Sequence, residues 1–370
     1  MKKILFILTL LIIFLSCEKD DYITGVESQL PPITTPKVEG RVVLAYVTYY
    51  GKSIPDPTYL THINYAFAEL YLKNGKYEGF KLQGQEERFQ RIVNLKRNNP
   101  DLKVSIAFSH VVDNPDNAQG GGFSVMAKSP AYRKAFANDC KAFVEKWGID
   151  GVDIDWEFPG ISWSGHASDA AVDTENYTLL MKDLRETLGN KYLLTYAGYC
   201  KDMQSSPEGF KYIDVKSVDP YVDFVNIMTY DIADAPQHQS ALKSSKMIWD
   251  CDRSVKDYLN AGVPANKLVL GIPFYGRHSF QGSDGSIDYN KIINLDPIIF
   301  KIDNWDAEGS VPYVTKNGQF YCGYDNAKSI GIKAEWLLSL GMKGMMFWDY
   351  DGDDKMGTLR KAAWDGTMKN

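Results

Sequence analysis

Short apolar runs alternate along this chain with longer segments in which apolar residues recur every three or four positions. The short runs predict buried β-strands, and the segments with helical spacing predict amphipathic helices. Eight strands are predicted, at residues 41–47, 61–67, 103–108, 150–160, 192–197, 222–229, 268–274 and 342–348. The predicted helices lie within residues 85–97, 130–147, 173–188, 240–261 and 327–340. Eight strands alternating with helices favour an α/β fold of the (β/α)8 TIM-barrel type, with residues 41–370 as one domain.

Helix boundaries are marked most clearly around the predicted helix at 130–147. Ser129 is a good N-cap, and Pro130 after it suits the first helical position. Gly148 and, one helix later, Gly189 are typical of the residue at which a helix ends. The strand at 150–160 therefore begins directly after a well-bounded helix.

The segment between the seventh and eighth strands is too long to be a bare loop. Strand-like pieces at 312–315 and 319–323 lie within it. We expect a small inserted α+β subdomain at about residues 278–325, forming one wall of a cleft.

The N-terminus has the pattern of an export signal. Lys2 and Lys3 precede an apolar run at 4–15, which is too short to span a bilayer comfortably, and Ser16 and Cys17 follow. This pattern resembles a bacterial lipoprotein signal at 1–17 with Cys17 as the lipidated residue; the alternative is an ordinary secretory signal cleaved elsewhere. Residues 18–40, rich in Pro and Thr, predict a flexible tether. The expected location is the outer membrane, facing either the periplasm or the cell exterior.

Charge and cysteine content narrow the range of functions. A net charge of −6 without a basic cluster argues against a nucleic-acid partner. The cysteines at 140, 200, 251 and 322 match no zinc pattern, and we expect mostly buried free thiols, with one disulfide pair as the alternative. Nothing in the pattern calls for a cofactor or for a dimer, so we expect a monomer.

Candidate chemistry is concentrated in the strand at 150–160. With alternate side chains on one face, Asp153, Asp155 and Glu157 form a row about 6 to 7 Å apart at Cα. Three ionised carboxylates this close in an interior would repel, so we expect at least one shared proton and proton chemistry at Glu157, nearest the open end. A solvated strand face and a metal site are the alternatives, but the stretch contains no His or Asn ligand, and we predict no metal.

Residues 150–160, which end in Phe-Pro-Gly, closely resemble the signature of glycoside hydrolase family 18, the chitinase-like enzymes, and the resemblance extends over residues 41–365. It implies hydrolysis of β-1,4 linkages between N-acetylglucosamine units with retained configuration. Two carboxylates on one strand face cannot lie on opposite sides of a sugar, and this family is an exception that uses the substrate as nucleophile. The resemblance makes Glu157 the acid and then the base, with Asp155 and Tyr230 orienting the N-acetyl group that attacks.

Further cleft positions follow from the same resemblance. Met228, Tyr230 and Asp231 match a Met-x-Tyr-Asp segment, and Trp348 matches the tryptophan under the sugar at the cleavage point. Tyr46, Tyr275 and Arg277 match other substrate-binding positions, and Trp163, Trp305 and Tyr313 are loop candidates for outer subsites or for packing of the insertion.

The third strand departs from the family pattern, with Ser105-Ile106-Ala107-Phe108 where Ser-x-Gly-Gly is usual. Ser105 is then a candidate hydrogen-bond partner of Asp153, and Phe108 is expected near the cleft floor. No histidine adjoins the motifs, so none is assigned a role.

Three functions remain open at this point. The first is a chitinase acting on chitin or chitooligosaccharides. The second is an endo-β-N-acetylglucosaminidase acting on N-glycans, which the short insertion favours slightly. The third is a non-catalytic chitin-binding lectin, which the presence of Glu157, Asp155 and Tyr230 disfavours.

Overall fold

The computed structural model describes residues 37–117, 122–161, 167–201, 204–205, 209–210, 212–282 and 284–369, with only the backbone at 204–205 and 209–210. The predicted signal at 1–17, including Cys17, and nearly all of the predicted tether at 18–40 lie outside these residues, as does Trp163.

Eight parallel strands close into the predicted (β/α)8 barrel. The barrel strands and the short strands among them are β1 (Val42–Thr48), β2 (His62–Lys73), β3 (Lys76–Leu82), β4 (Lys103–Ser109), β5 (Gly151–Asp155), β6 (Leu193–Gly198), β7 (Gln204–Ser205), β8 (Gly209–Phe210), β9 (Phe224–Ile227), β10 (Leu268–Pro273) and β16 (Gly344–Trp348). Neighbours pair in the order β1, β2, β4, β5, β6, β9, β10 and β16. The ring closes where β16 pairs with β1, with Val42 opposite Gly344.

Helices cover the outside of this ring. They are α1 (Glu86–Asn94), α2 (Phe123–Lys128), α3 (Pro130–Trp147), α4 (Asp173–Leu188), α5 (Val215–Val218), α6 (Cys251–Asn260), α8 (Ala327–Ser339) and α9 (Thr358–Thr367). The short helix α7 (Tyr289–Ile292) belongs instead to the insertion between β10 and β16. Short 3-10 helices lie at Pro57–Tyr59, Leu95–Arg97, Asp219–Tyr221, Ala265–Lys267 and Tyr350–Gly352. The boundary signals of α3 are confirmed, because the Ser129 hydroxyl accepts a hydrogen bond from the backbone N–H of Tyr132 and Gly148 ends the helix at φ +63°.

A β-hairpin extends the wall of the barrel next to the carboxyl ends of the strands. β2 continues past the barrel, turns at Asn74 and Gly75, whose φ angles are 51° and 70°, and returns as β3. On β2 the buried Glu69 accepts hydrogen bonds from the Asp113 backbone N–H and the Asn117 side chain, both at 2.7 Å. These bonds fix the loop that follows β4, and that loop forms part of the cleft rim.

The insertion between β10 and β16 is a five-stranded antiparallel sheet. Its strands are β11 (Tyr275–Arg277), β12 (Ser286–Asp288), β13 (Phe300–Asp306), β14 (Val311–Lys316) and β15 (Gln319–Gly323). The strands lie in the order β12, β11, β15, β14 and β13, so β12 is one edge and β13 is the other. Trp305 and Tyr313 are on β13 and β14, and the expectation that they lie in loops is wrong.

Apolar side chains form two layers. The larger layer fills the space between strands and helices, and the smaller one fills the barrel interior with residues that include Tyr46, Ala107, Tyr230 and Tyr275. The cysteines at 140, 200, 251 and 322 are buried free thiols. Within the described ranges, every helix is too short or too polar to cross a bilayer.

Candidate active site

Asp153, the innermost carboxylate of β5, is held by a buried polar network inside the barrel. It accepts hydrogen bonds from the Tyr46 hydroxyl at 2.8 Å, from the Asn226 side-chain amide at 3.2 Å and from the Thr195 hydroxyl. Burial raises the pKa of Asp153 to about 6, although the three donors pull it down. Ser105, a candidate partner from the sequence, is not among these donors, whose strands are β1, β6 and β9.

Asp155, at the carboxyl end of β5, is almost completely buried. Its Oδ1 atom has no hydrogen-bond partner among the described residues, and the side chain lines a cleft. Burial raises the pKa of Asp155 well above its usual value, and the nearby charges of Glu157 and Asp153 raise it further. This buried oxygen therefore retains an unused capacity to accept a hydrogen bond, in a side chain that lines the cleft.

Glu157 lies two residues beyond Asp155 and lines the same cleft. Burial raises its pKa to about 7, the charge of Asp231 adds to the increase, and a hydrogen bond with Asp155 lowers it. Asp155 and Glu157 are thus a coupled pair in which at least one proton remains bound near neutral pH, in agreement with the shared proton that the spacing predicted. A carboxylic acid protonated at this pH can act as a general acid.

The cleft has two parts that meet at Glu157. One part, of about 500 Å³, is lined by residues that the family motifs predicted, namely Tyr46, Asp155, Glu157, Met228, Tyr230, Asp231, Tyr275, Arg277 and Trp348. The loop candidates Trp305 and Tyr313 do not line it. The other part, of about 490 Å³, shares Glu157 and Tyr230 and adds Phe158, Tyr199 and Phe280. A linear polymer lying along the cleft would therefore have room on both sides of the acid.

Aromatic rings form the floor of the first part. The Trp348 ring is partly exposed and lies 5.6 Å from both the Tyr46 ring and the Phe67 ring, nearly parallel to Phe67 at 21°. The indole is held in place from below, so a flat apolar surface is presented to the cleft.

On the side of the cleft formed by the insertion, Arg277 pairs with Asp231, and Tyr230 lies next to this pair in the sequence. Arg277 on β11 binds Asp231 through two hydrogen bonds of 2.9 Å each. Burial raises the pKa of Tyr230 well above its usual value, and the neighbouring Tyr275 and Asp155 add to this. The Tyr230 hydroxyl is therefore protonated at neutral pH and can donate a hydrogen bond.

His110, which follows β4 directly, lines both parts of the cleft. The backbone N–H of Glu157 donates to its Nδ1 atom at 3.4 Å. The expectation that no histidine adjoins the motifs is therefore wrong, and the available signal was that His110 stands at the carboxyl end of a barrel strand, where such folds place their functional residues.

The structure differs from the sequence-based predictions at two further places, β4 and the rim of the cleft. Phe108 does not reach the cleft floor, because it points outward and its ring packs against Phe80 at 4.7 Å and Phe136 at 5.0 Å. Asp349, which the sequence motifs did not include, lines the cleft, and burial together with the charges of Asp351 and Asp288 raises its pKa to about 6.

The described residues contain no group of three His, Cys, Asp or Glu side chains arranged to hold a metal ion.

Comparison with known proteins places this geometry in a family. Residues 42–353 match the profile described as glycosyl hydrolases family 18. The chain is 30% identical to Chitinase A1 of Niallia circulans over 84% of its own length and 55% of that protein, so it spans about half of this relative. It is 26% identical to Probable chitinase 2 of Drosophila melanogaster, over 88% of the chain and 75% of that protein.

Among solved structures, a family 18 N-acetylglucosaminidase from Paenibacillus barengoltzii superposes with a TM-score of 0.72 at 29% identity, covering 88% of this chain and 99% of that one. Because the family profile extends from the first barrel strand to beyond the last, and the barrel carries the acidic signature at the end of β5, the chain belongs to family 18 of the glycosyl hydrolases.

Proposed function

We propose that this protein is a chitinase that hydrolyses β-1,4 linkages between N-acetylglucosamine units of chitin or chitooligosaccharides. The observation that carries the proposal is the position of Glu157, whose pKa burial raises to about 7, between two pockets, with the buried Asp155 carboxyl beside it and the Trp348 ring as a floor. The relatives named above are chitinases or act on N-acetylglucosamine, as their names state.

The placement of the two carboxyl groups favours a mechanism in which a group of the substrate itself acts as the nucleophile. Asp155 and Glu157 both come from the end of β5 and approach a bound sugar from the same side. An acid and a protein nucleophile would need to lie on opposite sides of the scissile bond, and family 18 is known as an exception to that arrangement. The nucleophile in this proposal is therefore the carbonyl oxygen of the substrate's own N-acetyl group.

The first step breaks the glycosidic bond. Glu157 donates its proton to the leaving oxygen while the N-acetyl carbonyl oxygen bonds to the anomeric carbon, giving an oxazolinium ion and an ionised Glu157. Asp155 accepts a hydrogen bond from the acetamido N–H, and the Tyr230 hydroxyl donates to the acetamido oxygen. These contacts align the attacking atom and stabilise the positive charge that develops on the ring.

The second step restores the enzyme. Glu157, now a base, takes a proton from a water molecule whose oxygen bonds to the anomeric carbon, and the carbon–oxygen bond to the acetamido group breaks. Two displacements at the same carbon retain its configuration. Asp153 acts indirectly, because its network with Tyr46, Thr195 and Asn226 fixes the charge beneath Asp155.

An N-glycan substrate would require the same chemistry with different outer contacts, so product analysis separates the two substrates. The purified protein is incubated with an N-acetylglucosamine hexamer and, separately, with a high-mannose glycopeptide, and the products are identified by mass spectrometry. We expect dimers and trimers from the hexamer. Glycan release with an intact hexamer would replace the chitinase proposal by an endo-β-N-acetylglucosaminidase, and tight binding without products would favour a lectin.

We further propose that the protein is exported as a lipoprotein anchored through Cys17 to the outer membrane, with residues 18–40 as a tether and a monomeric catalytic domain. The support is the sequence pattern of two lysines, a short apolar run and a small residue before the cysteine. Labelling of cells with a tagged palmitate should mark the wild-type protein, while a Cys17→Ala variant should be unlabelled. Equal labelling of both proteins would overturn the anchor.

A further inference from the structure

The inserted sheet carries a second groove, separate from the catalytic cleft. It has a volume of about 510 Å³, and no residue that lines it also lines either part of the cleft. We call it the insertion groove; its lining includes His238, Ser244, Lys246, Trp305, Asp306, Tyr313, Thr315 and Phe320. The volume is in the range of known ligand-binding sites.

One wall of the insertion groove is a fixed aromatic surface. The rings of Tyr313 on β14 and Phe320 on β15 are nearly parallel at 9°, with centroids 5.2 Å apart. The His238 ring packs edge-on against both, at 5.8 Å and 5.3 Å. All three side chains restrain one another, so the half-exposed tyrosine and phenylalanine are held in place without a ligand.

Trp305, at the end of β13, adds a third half-exposed ring. The Nζ atom of Lys328 lies 3.6 Å from the centre of the Trp305 ring and covers one face. This cation–π contact restrains the indole from one side. Three partly exposed aromatic rings in one concavity are more than a solvent-facing sheet requires.

The polar groups in the insertion groove suit a neutral ligand. The carboxylate of Asp306 accepts hydrogen bonds from the backbone of Glu308 and Gly309 and lies 3.1 Å from His238 Nε2, so it is already partnered. Lys246 is the cation that lines the groove, and it is exposed. Hydroxyl groups of Ser244, Tyr313 and Thr315 complete the lining.

A flat aromatic wall, several hydroxyl groups and little free charge match the chemistry of a pyranose, which has apolar faces and a rim of hydroxyls. A nucleotide would also stack on aromatic rings, but its phosphates would need more cations than Lys246. We infer that the insertion groove is a second, non-catalytic glycan-binding site that holds a neutral oligosaccharide, such as a chain of N-acetylglucosamine units. The choice of this sugar rests on the proposed function, whereas the existence of the site does not.

The position of the insertion groove on the inserted sheet suggests how binding there would assist catalysis in the cleft. The catalytic cleft is lined by β11 and β12, at one edge of the inserted sheet, and the groove by β13, β14 and β15 at the other. With strands about 4.8 Å apart, the middles of the two sets of lining strands are separated by roughly 12 Å across the sheet. Binding in the groove would keep the cleft next to an insoluble polymer and raise the local concentration of cleavable chains.

The test is calorimetric titration of an N-acetylglucosamine hexamer into a Glu157→Gln protein, which prevents turnover. We expect two binding events. Adding Trp305→Ala or Tyr313→Ala should weaken one event at least about tenfold and leave the other unchanged, as expected for loss of a stacking contact. Adding Trp348→Ala should weaken the other event instead. Tyr132→Ala, a half-buried tyrosine on α3 away from both sites, is the matched control and should change neither event.

A second measurement uses active protein, because truncated aromatic residues can destabilise a fold. Trp305→Ala and Tyr313→Ala should hydrolyse a soluble trimer at the wild-type rate but insoluble chitin at least about threefold more slowly. A single binding event in the Glu157→Gln protein, insensitive to Trp305→Ala and Tyr313→Ala, would overturn the second site. Failure of the wild-type protein to cleave any N-acetylglucosamine oligomer would instead count against the proposed function, so the two failures are distinguishable.

Discussion

The sharpest prediction concerns Asp155→Asn. This substitution keeps the size of the side chain but removes a carboxylate whose Oδ1 atom is buried and without a partner among the described residues. In the proposed mechanism that atom accepts the acetamido N–H while positive charge develops on the sugar. The substituted amide would present a neutral oxygen, or would turn its NH2 group to the substrate and donate where an acceptor is needed.

The expected loss is that of one preorganised electrostatic contact to the transition state, about 3 kcal/mol or roughly a 10²-fold fall in kcat. The pH dependence should change much less. Burial is the largest cause of the raised pKa of Glu157, and an isosteric substitution leaves that burial intact. Because Glu157 is active as an acid when protonated, the rate of the wild type should fall as the pH rises through about 7. The variant should keep an alkaline limb of this kind, displaced only by the change in the hydrogen bond and charge that Asp155 contributes to Glu157.

The assay is the pH profile of kcat and kcat/KM for a soluble N-acetylglucosamine oligomer. Asp288→Asn is a suitable control, because this cleft carboxylate is on the insertion and pairs with Lys291 at 2.7 Å. The control should change kcat by less than about threefold. An Asp155→Asn protein that keeps more than about a tenth of the rate and only shifts its optimum would refute the reasoning, and would make Asp155 an electrostatic neighbour of Glu157.

Two further predictions concern charge pairs. Arg277→Gln should move the alkaline limb of the pH profile of kcat/KM to higher pH by roughly 0.5 unit. The reason is that Asp231, without its arginine partner, raises the pKa of Glu157 further. A shift of this limb to lower pH would contradict the statement that the charge of Asp231 raises the pKa of Glu157. Lys333→Met removes the cation that lies 2.8 Å from Asp325 where both side chains are fully buried. It should lower the free energy of unfolding by about 3–5 kcal/mol in chemical denaturation, and a loss below about 1 kcal/mol would contradict a stabilising role of this pair.

The barrel was predictable because its strands are buried on both faces and therefore form continuous apolar runs between helices with clear boundaries. The alternation of Asp153 and Asp155 was predictable because a period of two is fixed by strand geometry. The prediction that the strand continues to residue 160 is wrong, because β5 ends at Asp155 and Glu157 lies in the segment beyond it. The same alternation, applied to β4, places Ser105 and Ala107 inward and Phe108 outward. The wrong prediction for Phe108 arose because the residue was placed by its position in the family motif and not by this alternation.

β3 was missed because its charged, half-exposed residues lack the apolar run of a barrel strand. The signal was Asn74-Gly75, a dipeptide typical of tight hairpin turns. His110 is different: its contact with Glu157 depends on the pairing of β4 with β5 and on the loop that Glu69 holds. No local pattern in the sequence encodes that contact, since it forms only when the barrel closes.

The central claim is that Glu157 supplies the proton and the substrate's own acetamido group supplies the nucleophile. The most direct test follows the first products from an N-acetylglucosamine hexamer by proton NMR, with the wild type and with Glu157→Gln, whose binding of the hexamer is measured in parallel. The account predicts products that appear first as the β-anomer from the wild type, and bound but uncleaved hexamer with Glu157→Gln. Products that appear first as the α-anomer, or a Glu157→Gln rate above about a tenth of the wild-type rate, would contradict it.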